Sequence, residues 1–494
     1  MGDANLYRMF RDRFATRLDA ACFVLADGQR LTFGELDDLS ARLAALLRRY
    51  GAVDGQRVVA QVEKSVAAFA LYLACLRTGA IYVPLNTAYT TTEVDYFIED
   101  AAPVLFVGAQ TRETSARHSV VLSVSEDSPL WRDALAVTPD YDLAPRVSDD
   151  IAAILYTSGT TGRSKGAMLS IGNLASNALT LHRLWGFGPN DVLIHALPIF
   201  HVHGLFVAMH CALLNASPTY FLPKFDPAQV RALLPRATVL MGVPTFYTRL
   251  LALDDFNSDD CARMRLFISG SAPLLAETHR AFEARTGHRI LERYGMTESG
   301  MITSNPLDGE RVPGTVGFAL PDVAVRIADD KGNGLPAGER GVIEIKGPNV
   351  FKGYWRMPEK TAQEFRADGF FITGDVGVIA PDGRVSIVGR AKDLIISGGF
   401  NIYPKEIEET LDAVAGVTET AVVGVPHPDF GEAVVAVVVR ENDAVTEELL
   451  MRAAQATLAR FKHPRRIVFV DDLPRNAMGK VQKNVLRQMY QASF

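Results

Sequence analysis

Residues 151–166 of this chain are Ile-Ala-Ala-Ile-Leu-Tyr-Thr-Ser-Gly-Thr-Thr-Gly-Arg-Ser-Lys-Gly. The apolar start predicts a buried strand over Ile151–Tyr156. In the loop that follows, Thr157–Lys165, the glycines carry no side chain, so several backbone N–H groups can converge on one anion. Three Thr and two Ser hydroxyls, with Arg163 and Lys165, add donors and positive charge. The stretch predicts a strand followed by a phosphate-binding loop without Walker spacing; taken alone, it also fits an exposed polar turn.

The composition is that of a globular protein with sizeable buried cores. The chain has 494 residues, of which 48% are hydrophobic and 22% charged, and its formal net charge is -6. This balance excludes a disordered chain and does not favour a nucleic-acid partner. The four cysteines form no CxxC pair, so the sequence predicts neither a zinc site nor a disulfide framework. With no targeting segment or bilayer-length apolar run, we expect a soluble, cytoplasmic protein without a membrane partner.

Strand-like and helix-like segments alternate between about residues 31 and 242. The pattern predicts a strand at Val58–Val62, a helix at Ser65–Thr78 ended by Gly79, and a strand at Ile81–Pro84. Three further buried strands are expected at Ile151–Tyr156, Val192–Leu197 and Val239–Met241. This alternation predicts layered α/β lobes with largely parallel sheets.

The pattern changes after about residue 323. Short strands between Gly-, Pro- and Asp-rich turns predict a small antiparallel β lobe over 323–388. Beyond it, the sequence predicts helices at Pro404–Leu411 and Glu447–Arg460, and strands at Val417–Val425, Ala433–Arg440 and Ile467–Val470. We therefore expect an α/β fold: a large N-terminal body of layered lobes plus the β lobe, residues 1–390, followed by a small, mobile α+β C-terminal domain, residues 391–494.

Three more segments carry polar residues suited to a nucleotide. Tyr294–Glu298 places a hydroxyl beside a carboxylate, as a site for phosphate and Mg²⁺ requires. In Thr373–Asp375 the carboxylate can accept hydrogen bonds from a ribose diol, with Arg390 nearby. Pro474–Lys480 is a basic loop that ends on a lysine. Taken singly, these segments also fit a helix start, a turn-capping Asp and a solvated lysine.

In this order, the four segments resemble the adenylate-forming superfamily of acyl-CoA synthetases, peptide-synthetase adenylation domains and beetle luciferases. The resemblance extends from residue 31 to residue 480, which is nearly the whole chain. Within the superfamily, the chain is most similar to bacterial malonyl-CoA synthetases, through residues 193–206, 241–250, 266–275 and 347–360.

The resemblance implies a ligase that uses ATP, Mg²⁺ and coenzyme A. A carboxylate attacks the α-phosphorus of ATP, and the CoA thiol then attacks the acyl-adenylate and releases AMP. The phosphate residues implied are Thr157, Ser158, Gly159, Thr160, Thr161, Gly162 and Lys165. The adenine side is implied to comprise Ser271, Ala272, Pro273, Tyr294, Gly295 and Met296, and the ribose side Asp375 and Arg390. The catalytic residues implied are Thr297, Glu298, which also binds Mg²⁺, and Lys480.

The same resemblance implies a hinge at Lys392 and a pantetheine tunnel lined by Ser397, Gly398 and Gly399. For the acyl pocket we predict that a buried Arg249 binds the distal carboxylate of malonate, because a buried guanidinium requires an anionic partner. Ser269 and His201 are expected nearby, and Arg293 is the second candidate. We expect His195 and His203 to be structural.

Several alternatives stay open at this point. A short- or medium-chain or aryl acyl-CoA synthetase is the main one, and a charge at Arg249 argues against an apolar acyl chain. An amino-acid adenylation domain is disfavoured because residues 203–207 hold no acid. A luciferase-type oxidoreductase and a non-enzymatic nucleotide-binding module are more remote. The sequence also leaves open whether malonate or methylmalonate is the substrate, and whether the protein is a monomer or a homodimer.

Overall fold

The computed structural model describes residues 4–110, 113–122, 128–157, 164–397, 400–476 and 479–494. The chain divides into two compact units, one of residues 1–324 and 345–371 and the other of residues 325–344 and 372–494. The sequence predicts a domain boundary between residues 390 and 391, where a hinge is expected. The division into compact units does not test where the chain rotates, so this boundary stays a prediction.

The first unit contains β-strands and α-helices that follow one another along the chain. Its strands are β1 (Ala21–Val24), β2 (Arg30–Thr32), β3 (Arg57–Gln61), β4 (Ile81–Pro84), β5 (Leu105–Gly108), β6 (His118–Val121), β7 (Ile151–Thr157), β8 (Lys165–Ser170), β9 (Leu193–His195), β10 (Thr219–Phe221), β11 (Val239–Gly242), β12 (Leu266–Ser269), β13 (Leu291–Met296), β14 (Gly300–Ser304) and β15 (Phe318–Ala319). Its helices are α1 (Leu6–Phe14), α2 (Phe33–Arg49), α3 (Val66–Thr78), α4 (Thr91–Ala101), α5 (Pro129–Ala136), α6 (Ile171–Leu184), α7 (Met209–Asn215), α8 (Pro227–Leu233), α9 (Pro244–Leu251), α10 (Ala276–Thr286) and α11 (Pro358–Gln363).

Two sheets organise this unit. Within the described ranges, one has nine strands in the order β15-β14-β13-β12-β11-β9-β10-β1-β2, and the other has six in the order β6-β5-β3-β4-β7-β8. The strands β9 to β13 pair in parallel, as do β3 with β4 and β5. The expectation of a layered α/β fold with largely parallel sheets is confirmed. Parallel sheets gather the carboxyl ends of their strands at one edge, where α/β proteins bind ligands.

Helix α3 shows how closely local sequence signals define an element here. The Ser65 side chain caps its first turn by accepting a hydrogen bond from the Ala68 amide, and Gly79 ends it in the left-handed region at φ 75. From Ala67 to Thr78 every residue is buried, as expected for a helix that is apolar on all sides. The predicted helix Ser65–Thr78 is confirmed.

The strands from β16 onward form two sheets that lie almost wholly in the second unit. They are β16 (Ala324–Ala328), β17 (Gly341–Lys346), β18 (Phe371–Ile379), β19 (Val385–Arg390), β20 (Ile395–Ser397), β21 (Phe400–Ile402), β22 (Val417–His427), β23 (Gly431–Arg440) and β24 (Arg466–Val470), with helices α12 (Pro404–Asp412), α13 (Glu447–Thr457) and α14 (Lys483–Tyr490). The described parts of the sheets are β16-β17-β18-β19 and β21-β20-β23-β22, with β24 beside β23. The predicted small β lobe and α+β unit are both present.

The sheet built on β22 and β23 is buried on both faces. Alternate residues such as Val422 and Val434 pack with Ile407 of α12 and Leu450 of α13. Their neighbours on the opposite face pack against Leu486 of α14. Side chains alternate between the faces of a strand, so these nearly continuous apolar runs require helices on both sides. This core holds β22 firmly, which matters for the loop before α14.

Several predicted boundaries differ from the structure by one to three residues, and two of them show the physical reason. The strand predicted at Val192–Leu197 ends at His195, whose carbonyl accepts hydrogen bonds from Lys64 and from the Leu222 amide. The helix predicted to reach Arg460 ends at Thr457 because Leu458 is extended, at φ -111 and ψ 148. Across the part of the chain that the structure describes, no helix is long and apolar enough to cross a membrane.

Candidate active site

The phosphate loop predicted from the sequence joins two paired strands. Thr157 ends β7 and Lys165 begins β8, and the two residues are partners in the antiparallel register. The Thr157 hydroxyl donates to the Lys165 carbonyl at 3.4 Å. The residues between them, Ser158–Arg163, lie outside the described residues, so their predicted phosphate contacts stay predictions. A β-hairpin fixes the two ends of the loop. Because Thr157 and Lys165 are register partners, their side chains lie on the same face of the sheet.

Glu298 lies in the tight connection between β13 and β14. The strand register shifts between Tyr294 and Gly295. A Cβ at Gly295 would lie 2.2 Å from the Gly300 carbonyl oxygen, so only glycine fits there. The Glu298 side chain is buried, while Thr297 beside it is partly exposed. The structure brings Glu298 to the phosphate loop, where its Oε1 accepts from the Thr157 hydroxyl at 3.5 Å.

Two residues that the sequence analysis did not single out complete this arrangement. The Tyr354 hydroxyl donates to Glu298 Oε1 at 3.1 Å, and the Lys165 ammonium lies 4.1 Å from the centre of the Tyr354 ring. Glu364 pairs with Lys165 at 3.1 Å. Burial, followed by the charge of Glu298, raises the pKa of Tyr354, so its hydroxyl keeps its proton to donate. Tyr354 therefore connects the predicted metal ligand to the predicted phosphate lysine.

Replacing Tyr354 with Phe should uncouple Glu298 from this arrangement while keeping the aromatic ring under Lys165. We expect the Mg²⁺ concentration required for half-maximal activity to rise about 10- to 100-fold, as is typical when a partner of a metal ligand is lost. The KM for the carboxylic acid should change by less than about twofold. A titration of activity and of Mg²⁺-dependent protection against thermal unfolding checks this. An unchanged Mg²⁺ requirement would show that Tyr354 does not position Glu298.

Three buried amides hold the Glu298 hairpin in place. Asn177 of α6 both donates to the Met301 carbonyl and accepts from the Met301 amide. Asn349 donates to the carbonyls of Ser299 and Met301 at 2.9 Å. Asn173, also on α6, donates to the carbonyls of residues 348 and 350. The Asn177 and Asn349 bonds fix the backbone that follows Glu298, and Asn173 fixes the segment that carries Asn349, so the position of Glu298 is supported in the free protein.

Arg293 is a buried guanidinium on β13. Its exposed fraction is 2%, and among the described residues its Nε and Nη2 atoms have no hydrogen-bond partner. Its guanidinium lies against the backbone of Gly270, where a Cβ would come within 2.3 Å of Cζ. Burial lowers the pKa of Arg293 to about 9, which leaves the side chain charged at neutral pH. A buried charge that lacks hydrogen-bond partners among the described residues is costly, so Arg293 fits a position that pairs with an anion.

Other unpartnered polar atoms lie close to Arg293. Ser269, at the end of β12, is fully buried, and within the described ranges its hydroxyl has no partner. His203, at the start of the π-helical segment His203–Ala208, receives a hydrogen bond at Nδ1 from Ser271 at 3.3 Å, and its Nε2 is unpartnered among those same residues. Burial, followed by the charge of Arg293, lowers the pKa of His203, which is therefore neutral. His203 thus lies close enough to Arg293 to be affected by its charge, and the expectation that His203 is structural stays a prediction.

Arg249 lies elsewhere, and the prediction that it is a buried guanidinium is wrong. It falls in the last turn of α9 with an exposed side chain, while Phe246, Tyr247 and Leu250 form the buried face of that helix. The helical period places Arg249 on the solvent side of α9. The burial argument therefore transfers to the second candidate, Arg293. His201 is partly exposed, and its Nδ1 accepts from the His203 amide at 3.4 Å.

The predicted adenine residues follow the strand ends of the nine-stranded sheet. Tyr294, Gly295 and Met296 form the end of β13, and Ser271, Ala272 and Pro273 form the partly exposed loop after β12. Ser271 has a φ of 71, a left-handed conformation that is strained for a residue other than glycine. Such strain is concentrated at ligand sites, where surrounding contacts enforce it.

In the second unit, Asp375 and Arg390 are neighbours, as predicted. They are register partners on β18 and β19, and Arg390 Nε lies 2.6 Å from Asp375 Oδ1. Asp375 is buried, and its amide donates to the Thr373 hydroxyl at 3.0 Å. Asp375 thus lies within a strand rather than capping a turn. A carboxylate fixed this way offers its oxygens in a constant direction, as ribose binding requires.

The remaining predicted residues also lie in the second unit. Lys480 has an exposed side chain in the loop before α14, and Lys392 is exposed in the 3₁₀ turn Ala391–Asp393. Ser397 ends β20 and is buried. Gly398 and Gly399 lie outside the described residues. The hinge and CoA assignments stay predictions.

The residues around Glu298 fit a magnesium ion. Within the described part of the chain, no group of three or more His, Cys, Asp and Glu residues could hold a metal alone. Mg²⁺ in nucleotide enzymes usually takes one or two carboxylates and completes its octahedral shell with phosphate oxygens and water. One fixed carboxylate beside a phosphate loop is such a donor set, and Glu298 would be its protein ligand.

The predicted phosphate loop, the buried carboxylate beside it and the buried guanidinium of Arg293 fit the class of enzymes that activate acids with ATP. Residues 10–355 match the AMP-binding enzyme family, and residues 406–480 match the AMP-binding enzyme C-terminal domain. The chain belongs to the AMP-binding enzyme family. The superfamily resemblance inferred from the sequence is confirmed.

Individual relatives narrow the comparison. The ATP-bound MatB from Rhodopseudomonas palustris is 54% identical, with a TM-score of 0.95 over 99% of each chain. The malonate–CoA ligase of Arabidopsis thaliana is 34% identical over 94% of this chain and 85% of its own. The feruloyl-CoA synthase of an Amycolatopsis species is 35% identical over 94% of each. The MatB structure shares the fold of this chain over nearly its whole length.

Proposed function

We propose that this enzyme ligates malonate to coenzyme A in an ATP-dependent reaction that releases AMP and pyrophosphate. Malonate first forms malonyl-adenylate, and the CoA thiol then displaces AMP. The proposal is supported by the similarity to malonate–CoA ligases and by the buried Arg293, whose Nε and Nη2 have no hydrogen-bond partner among the described residues. Free thiols at all four cysteines favour a reducing compartment, and we propose the cytoplasm.

The observation that carries the substrate assignment is the pair of unpartnered Arg293 atoms. Nε and Nη2 lie along one edge of the guanidinium, so their N–H groups can point in parallel at the two oxygens of a carboxylate. Ser269 and neutral His203 offer further polar atoms to the same anion. We propose that they bind the distal carboxylate of malonate, which an apolar or aryl chain would not satisfy. Malonate then has its second carboxylate left for activation.

The first half-reaction joins two anions, and cations must offset their repulsion. At about 4 Å and an effective dielectric near 20, one pair of unit charges is worth about 4 kcal/mol. We propose that Lys480 lies between the attacking carboxylate and the α-phosphate, while Lys165 and Thr157 hold the outer phosphates and Thr297 contacts the α-phosphate. Mg²⁺, when bound by Glu298, supplies charge neutralisation on the departing pyrophosphate.

The two half-reactions require different groups near the same carbonyl carbon. We propose that the C-terminal domain, residues 391–494, rotates about Lys392 after adenylation, which withdraws Lys480 and lets Ser397–Gly399 line the path of the CoA thiol. Asp375 and Arg390 are proposed to hold the ribose, and the loops at Ser271–Pro273 and Tyr294–Met296 the adenine.

The experiment that tests the proposed pathway is ATP–pyrophosphate exchange in the absence of CoA. Label from pyrophosphate should enter ATP only when malonate is present, because the exchange requires reversible formation of malonyl-adenylate. Exchange that needs CoA, or that proceeds equally without malonate, would contradict an adenylate pathway on this acid.

A further inference from the structure

The peptide that joins Gly479 to Lys480 is held at both ends by side chains of its own loop. The Lys480 amide donates to Asn476 Oδ1 at 3.0 Å, and the Gly479 carbonyl accepts from Arg475 Nη1 at 2.8 Å. Gly479 itself has a φ of 74, which favours glycine. The Lys480 carbonyl also accepts from the Asn476 amide, so the backbone is held on both sides of the Lys480 Cα, which restricts the direction in which the side chain leaves it.

The loop is closed on itself by further backbone bonds. The Asn476 amide donates to the Lys480 carbonyl at 2.9 Å, and Gln482 donates back to Pro474 at 2.7 Å. These bonds keep the loop's shape, but they do not fix where the loop lies on the unit. That requires a link from the loop to the sheet.

Arg475 provides this link. Its Nη2 pairs with Glu419, while its Nη1 holds the Gly479 carbonyl. Glu419 belongs to β22, which is packed on both faces and paired along its length with β23. Burial raises the pKa of Glu419, and the charge of Arg475 acts in the opposite direction. One guanidinium thus spans from a rigid strand to the peptide of Lys480.

We infer that Arg475 and Glu419 are positioning residues for Lys480, and that they act in the adenylation half-reaction alone. The inference rests on the proposed role of Lys480. A long lysine side chain loses much of its rotamer freedom when it is held in one place. Fixing its backbone leaves only the side chain to be ordered by substrate.

The structure also supplies a matched control. Lys483, at the start of α14, pairs with Glu408 of α12 at 2.6 Å, and both side chains are buried to a degree similar to the Arg475–Glu419 pair. This second ion pair lies three residues beyond Lys480 and joins α14 to α12. Its loss should affect the stability of the unit without redirecting the lysine.

The test compares Arg475→Met, Arg475→Lys, Glu419→Gln and Lys483→Met in the full-length enzyme. For Arg475→Met we expect the kcat of malonate-dependent pyrophosphate exchange to fall about 10- to 100-fold, the cost typical of a group misplaced by about 1 Å. The kcat of this exchange should also fall in Glu419→Gln. Arg475→Lys should retain part of the activity that Arg475→Met loses. The KM for ATP and the rate of thioester formation from supplied malonyl-adenylate should stay within about twofold, as should both half-reactions in Lys483→Met.

Amide hydrogen exchange over residues 476–482, followed by mass spectrometry, gives a readout independent of activity. Faster exchange is expected in Arg475→Met and Glu419→Gln but not in Lys483→Met. Equal losses in both half-reactions, or no loss of adenylation in Glu419→Gln and Arg475→Met, would overturn the inference. Lys480→Ala is assayed in parallel: if it adenylates normally, the proposed role of Lys480 has failed, and if it alone loses adenylation, only the positioning role has failed.

Discussion

Replacing Lys480 with Ala is expected to slow formation of malonyl-adenylate roughly a thousandfold, from the loss of about 4 kcal/mol of charge stabilisation. Thioester formation from supplied malonyl-adenylate should continue at nearly the normal rate, because the lysine is assigned only to the first half-reaction. Its side chain is exposed, so the substitution should leave the unfolding temperature unchanged. Pyrophosphate exchange and CoA-dependent AMP release measure the two steps separately.

Lys483→Ala is the matched control for this prediction, since Lys483 is paired with Glu408 rather than directed by the loop. It should retain both half-reactions. Equal loss of both half-reactions in Lys480→Ala would contradict the assignment of the lysine to adenylation alone.

Replacing Arg293 with Met should abolish most malonate activity and yet leave the fold intact. Truncating one partner of a buried charge pair typically costs about 2–5 kcal/mol, or roughly 30- to 5000-fold in kcat/KM for malonate. In the free enzyme, however, the guanidinium is buried, and two of its nitrogen atoms have no hydrogen-bond partner among the described residues. Removing such a charge should maintain or raise the unfolding temperature. Activity lost while stability is kept is the signature of a residue retained for binding.

Arg249→Met is the control, with the same chemical change at an exposed position on α9. Its malonate kinetics should remain within about twofold of the starting enzyme. If Arg249→Met lost malonate activity and Arg293→Met kept it, the pocket would have to be reassigned to α9.

The elements that were predictable from the sequence are those with strong local signals. Helix α3 has a capping serine, a continuous apolar body and a terminating glycine, and β22 and β23 are valine-rich runs long enough to be buried on both faces. The exact end of β9 was not predictable, because it depends on hydrogen bonds from Lys64 and Leu222, which are distant in sequence.

Some residues of the candidate site were also predictable from the sequence, and others were not. Asp375 and Arg390 could be paired from motif order, and the structure brings them together. Tyr354 could not be found, because its role depends on contact with Glu298, a residue 56 positions away. The burial of Arg249 was predicted wrongly because burial on an amphipathic helix depends on which face packs. Its neighbours Tyr247 and Leu250 occupy the packed face. Arg293 and His203 become informative only when their unpartnered atoms are visible.

Substrate preference directly tests whether this enzyme is a malonate–CoA ligase. The measurement is AMP release with ATP, Mg²⁺ and CoA across monocarboxylic and dicarboxylic acids of two to six carbons, with methylmalonate and ferulate included. The account predicts the highest kcat/KM for malonate, with methylmalonate separated from it by no more than the roughly 1–3 kcal/mol that one methyl group is worth. A preference for ferulate or for any monocarboxylate would contradict the account, because such acids leave the buried Arg293 without an anion.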